Sequence, residues 1–232
     1  MQMEKQMTII RLLGLLLIYF IGYIWWTPLL ATNVTLWLDP NALFLRSDVL
    51  IFFYLLWMVL VLCLSWTEWK KSLKKVKEEP LASLFRMVFG GLLVIILNVI
   101  LSMISSFLSG QSDSVNQSVI IENVSIAPLF MLFSVLIFAP IVEESVFRGG
   151  IFAYCRRFCP FWCAALISAL AFGGIHVMDS LLNGQWSDGI YLLVYGGIGW
   201  VNAWYYERHG GICTSCGVHF FNNLLSYVLM IL

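Results

Sequence analysis

Apolar residues run along the chain in blocks of membrane-spanning length. Seven stretches, at roughly 9–30, 48–66, 82–108, 126–153, 161–178, 189–206 and 212–232, are dominated by Leu, Ile, Val, Phe and Trp. About 20 such residues carry an α-helix across the hydrocarbon core. A helix also satisfies its own backbone hydrogen bonds where no water is present to do so. The pattern therefore predicts an all-α fold, a polytopic membrane helix bundle of about seven transmembrane helices. The first block is long, and Thr27-Pro28-Leu29-Leu30-Ala31 is a poor cleavage site, so it reads as a retained anchor rather than a signal peptide.

Composition agrees. Of 232 residues, 61% are hydrophobic and 11% charged, with mean hydropathy +0.89, against about a quarter charged in soluble domains. The 13 Lys and Arg balance the 13 Asp and Glu, so no general attraction for nucleic acid is expected and the bilayer is the partner the composition demands. The positive charges are unevenly placed. Lys5, Arg11, Lys70, Lys71, Lys74, Lys75, Lys77, Arg86, Arg156, Arg157 and Arg208 fall on one side of a seven-span bundle, and Arg46 on the other. The positive-inside rule then puts the N-terminus in the cytoplasm. Residues 70–79 read as a solvated, lipid-facing connector. Residues 109–125 read as the longest polar external stretch, with N-x-Ser/Thr sequons at Asn116 and Asn123, and a third sequon at Asn33. Asp179 and Asp188 bound an external loop and read as solvated. The whole chain, 1–232, is expected to be one membrane domain, with helices and a basic loop over 1–108 and the chemistry over 110–230.

Charges inside a span cost roughly 2.5–3.5 kcal/mol each on insertion scales and point to function. The fourth span holds Glu143, Glu144 and Arg148. Glu144 and Arg148 are i, i+4 and can pair, which leaves Glu143 without an obvious local partner and free to act as a general base. A bundle-stabilising ion network of all three is the competing reading. His176 ends the fifth span, while His219 and Asn223 lie i, i+4 in the seventh. In an antiparallel hairpin turning at Cys159-Pro160, Glu143 and His176 lie at the same depth, about 25 Å from the tip. These residues are therefore expected to share an interior.

Glu143-Glu144-Ser145-Val146-Phe147-Arg148, Phe172-x-x-x-His176 and His219-x-x-x-Asn223 resemble, in order and spacing, the three motifs of the CAAX protease and bacteriocin-processing (CPBP, or Abi) family, over about residues 110–230. The resemblance implies an all-helical intramembrane protease with a water-accessible catalytic cavity. In it, Glu143 with His176 activates water, His219 and Asn223 stabilise the oxyanion, and Glu144 and Arg148 position the first pair. It also implies a peptide or membrane-anchored protein substrate, reached from lipid or the cytoplasmic face. The small seven-span chain is closest in style to the bacterial branch, and so to a bacterial cell membrane and to bacteriocin or pheromone precursors. The expected cofactor is none. A zinc ion on Glu143, His176 and His219 is the alternative, although H-E-x-x-H is absent. The rival functions are a non-catalytic bacteriocin self-immunity or scaffold protein, and a proton-coupled transporter, for which paired halves are missing. Cys213-x-x-Cys216 and the other cysteines read as apolar packing residues. The sequence leaves the oligomeric state open.

Overall fold

The long apolar runs fold as helices in the computed structural model, which describes residues 7–231; Lys5 lies outside the described residues. In chain order they are α1 (Ile9–Leu38), α2 (Ser47–Glu78), α3 (Pro80–Ser109), α4 (Val115–Ile126), α5 (Pro128–Cys155), α6 (Phe161–Leu182), α7 (Leu192–Arg208) and α8 (Ile212–Ile231). A 3₁₀ segment, Trp186–Tyr191, leads into α7, and no strand occurs among the described residues. Local chemistry sets several ends. Thr8 caps α1, Ser114 caps α4, and Pro80 and Pro128 open α3 and α5, where a missing N–H costs nothing. Gly210 and Gly211, both at positive φ, make the tight turn between α7 and α8.

The fold is an all-α polytopic bundle. Five helices, α1, α2, α3, α5 and α6, are long and apolar enough to cross a membrane. The expected count of seven is not reproduced on that measure. At 17 residues α7 is short, and α8 interrupts its apolar run with His219, Asn222 and Asn223. Glu144, Arg148, Asn202 and several serines are buried, while Leu, Ile, Phe and Trp side chains cover the outside, as lipid contact requires.

Three expectations about the connecting segments are corrected. Residues 70–78 are not a loop but the last turns of α2, whose 32 residues reach about 48 Å and so run past a hydrocarbon core of about 30 Å. Residues 115–126 are helical, since Ser114 supplies the cap and Asp188 Oδ1 accepts the Val115 N–H at 2.9 Å. Asp188 is accordingly buried, also accepting the Ser180 hydroxyl at 2.5 Å, and is not solvated as expected; Asp179 is exposed.

Helices α6 and α7 approach closely. A Cβ on Gly173 would lie 2.9 Å from the Gly196 nitrogen, and one on Gly199 would lie 3.0 Å from the Ala169 Cα. Such small-residue contacts replace the hydrophobic drive that lipid cannot supply. They also leave the Gly199 carbonyl within reach of a side chain from α5.

Candidate active site

Helix α5 carries the densest polar string. Pro140 has no N–H to continue the helical ladder, and the turns on either side, Ser134–Phe138 and Glu144–Phe152, open to the wider π form. Such turns re-aim side chains and recur at functional sites. Here they turn Glu144 and Arg148 into the protein, where both are fully buried. Arg148 Nη1 donates to Glu144 Oε1 at 2.9 Å, and Nη2 donates to the Gly199 carbonyl at 3.0 Å. Its guanidinium also lies 4.4 Å above the Phe172 ring.

Two more donors converge on the same carboxylate oxygen. Asn202 Nδ2 reaches Glu144 Oε1 at 3.1 Å and His219 Nδ1 reaches it at 3.0 Å. A guanidinium stays protonated under all working conditions, so the carboxylate beside it is an acceptor. His219 must therefore donate through Nδ1. Its other nitrogen, Nε2, faces Glu143 Oε2 at 3.9 Å. Glu144 was expected to position the Glu143–His176 pair; its contact here is with His219. Arg148 alone reaches towards His176, through Phe172.

His176 is held in a different way. Its Nδ1 lies 2.8 Å from the Phe172 carbonyl, which can only accept, so this nitrogen carries the proton and Nε2 is left as an acceptor. Its ring stacks on Tyr195 at 4.4 Å with 18° between planes. The Tyr195 hydroxyl lies 2.6 Å from Ser114 Oγ and accepts from Asn116 Nδ2 at 3.2 Å, which ties the imidazole to the start of α4. Asn223 Nδ2 donates to the Val135 carbonyl at 2.7 Å, and its Oδ1 accepts from Asn222 at 3.0 Å.

Glu143, His176, His219 and Asn223 line one cavity of about 590 Å³, and Glu144 and Arg148 lie behind its wall. The six residues singled out from the sequence thus divide into a cavity set and a buried supporting set. Tyr19, Tyr195 and Asn202 escaped the sequence reading. Tyr19 brings its hydroxyl to the Glu143 side chain from α1, a helix without any motif. An Asn in mid-helix, such as Asn202, is a polar signal in an apolar span and was open to recognition; the two tyrosines are not distinguishable from other interfacial aromatics.

From Glu143 the cavity follows α5 towards Phe130, and from His219 it follows α8 towards Met230. Both directions lead away from the end of the bundle that carries Lys70–Lys77, Arg156 and Arg157. Access from lipid or the cytoplasmic face was expected; the lining residues extend away from the basic end. Asn116 and Asn123, which read as sequons of an external loop, are part of the lining. Among the described residues, no three His, Cys, Asp or Glu side chains come together closely enough to hold a metal ion. The Glu143, His176 and His219 set does not fit zinc in this arrangement, and no chemical step is routed through a metal.

Comparison with known proteins adds a family and a relative. Residues 125–225 match the family model described as "Type II CAAX prenyl endopeptidase Rce1-like". All three motifs fall inside that match. The chain is also 24% identical over 195 residues to "Putative membrane peptidase YdiL" of Bacillus subtilis (strain 168), covering 83% of this chain and 75% of the relative. No solved structure matches.

Proposed function

We propose that this chain is a membrane-embedded peptidase of the CAAX protease and bacteriocin-processing type, which hydrolyses internal peptide bonds of short hydrophobic or membrane-anchored peptides by direct attack of water; the match of residues 125–225 and the similarity to a membrane peptidase support that reading. The observation that carries this reading is the shared cavity, where a carboxylate, two differently tethered imidazoles and an amide face one space.

The tethering supports a division of labour. Water lies between Glu143 and the free Nε2 of His176, both acceptors. Glu143 takes one proton as the water oxygen attacks the scissile carbonyl carbon. His219 acts as an imidazolium between the two carboxylates: its Nδ1–H is held by Glu144, and its Nε2–H is directed at the oxygen that becomes negative in the tetrahedral intermediate. Donors aimed at charge that exists only in the transition state lower the barrier most. Asn223 has one N–H committed to Val135 and a second for the same oxyanion. Glu143 then returns its proton to the leaving amine as the C–N bond breaks. Atoms and charge balance without a metal ion, and metal analysis of the purified protein tests that part.

The experiment is incubation of candidate hydrophobic peptides with purified wild type and Glu143→Gln, read by mass spectrometry. Removing a positioned general base costs about 10²–10⁴ in rate, so cleavage products should fall at least about 100-fold with the fold intact. Equal products from both proteins would overturn the mechanism. Binding without cleavage by the wild type would favour a bacteriocin-immunity or scaffold role instead.

A further inference from the structure

The cavity is longer than the catalytic residues need. Its lining continues on α8 from His219 to Met230, eleven residues or about 16 Å of helix, and on α5 from Glu143 back to Phe130. An extended peptide advances about 3.3 Å per residue, so this arm holds about five residues.

The far part of the arm is walled by carboxamides. Asn116, Gln117 and Asn123 lie on one face of α4, and Asn98 enters from α3. Their hydrogen bonds leave capacity over. Asn116 donates once, to Tyr195. Gln117 has a long contact, 3.9 Å, to the Met230 sulfur. Asn98 accepts from Ser102 through Oδ1, with its amide N–H groups left over. A carboxamide offers both a donor and an acceptor, which matches the alternating N–H and C=O of an extended backbone. No Lys, Arg or Asp is among the described residues lining the cavity. Asn98, Asn116 and Gln117 are half-buried, so a charged side chain or a free chain terminus beside them would lose part of its hydration with no Lys, Arg or Asp opposite it.

We propose that α4 and Asn98 form a substrate subsite that binds about five consecutive uncharged residues, in extended form, on one side of the scissile bond. The subsite selects an internal segment rather than a chain end. This rests on the peptidase reading of the same cavity and adds its substrate class. It also explains why α4 is clasped at its start by Asp188, Ser114 and Tyr195, since a subsite wall must hold its place relative to His176.

The test uses the full chain in detergent and a library of N-acetylated, C-amidated peptides of Ala, Gly, Leu, Phe, Ser and Tyr, with a photocrosslinking residue in each. Mass spectrometry reads both cleavage and crosslinks. Trimming a cleaved peptide from five residues to two on the subsite side should lower kcat/KM by about tenfold or more. A Lys or Glu placed in that window should do the same. Gln117→Leu should raise KM severalfold with kcat within twofold, and Asn98→Leu should behave alike. Crosslinks should fall on 115–126. Cleavage indifferent to length and charge, or crosslinks confined elsewhere, overturns the subsite. Crosslinks on 115–126 without cleavage uphold the subsite while overturning the peptidase reading. Neither crosslink nor cleavage overturns both.

Discussion

On the inner side of α5, the Glu144 carboxylate meets Arg148, Asn202 and His219 at 2.9–3.1 Å and is shut off from any solvent. On the cavity side, its neighbour Glu143 meets the Tyr19 side chain and, at 3.9 Å, the edge of His219. Two identical side chains, adjacent in sequence, thus have opposite surroundings. A buried carboxylate held by three donors on one oxygen is a fixed anion that orients others. One bordering an open cavity retains lone pairs for a water molecule. The difference teaches that the E-E pair is two devices, one structural and one chemical, separated by a single residue step on a helix with wide turns.

That contrast can be broken most severely by exchanging which carboxylate is lost. Glu143→Gln should abolish turnover by at least about 100-fold and leave thermal unfolding in detergent nearly unchanged. Glu144→Ala should do the reverse in kind. It strands Arg148 as a buried unpaired charge, for which losses of about 3–5 kcal/mol are typical. The measurement is the midpoint of unfolding and the yield of folded protein, and a stable Glu144→Ala would dissolve the distinction. A smaller effect is expected at Asn202→Leu, which removes one of three donors to the same oxygen. The expected cost is about 1.5–3 kcal/mol, as for hydrogen bonds to charged groups, again read as stability. The smallest effects belong to the ring stacked on His176. Tyr195→Leu removes the ring under His176 and should lower kcat about tenfold with KM little changed. Tyr195→Phe keeps the stack and should stay within about threefold. If the two variants lose activity equally, stacking is not what holds His176.

Much of this was legible in the sequence. The apolar blocks fall where α1, α2, α3, α5 and α6 form, because lipid leaves the backbone no alternative to a helix. Charged and imidazole side chains in those blocks stand out for the same reason of cost. The motif spacing led to the family to which residues 125–225 match. Residues 70–78 and 115–126 were harder to read. Their polarity suggests loops, yet α2 continues because its lysines reach water beyond the bilayer, and α4 forms because Ser114 caps it and a buried Asp188, 73 residues from Val115 in sequence, accepts its first N–H.

By itself the sequence determined the fold class, the membrane setting and the short set of residues expensive enough to need a purpose. The i, i+4 spacing already offered Arg148 to Glu144, but only the tertiary structure decided that Asn202 and His219 join that carboxylate while Glu143 borders the cavity, since both partners arrive from other helices. It also decided that His176 and His219 are tethered through different partners. A ring nitrogen's role follows from what stands opposite it, a backbone carbonyl in one case and a carboxylate from another helix in the other. Such pairings between distant segments depend on packing, and no local pattern of residues contains them.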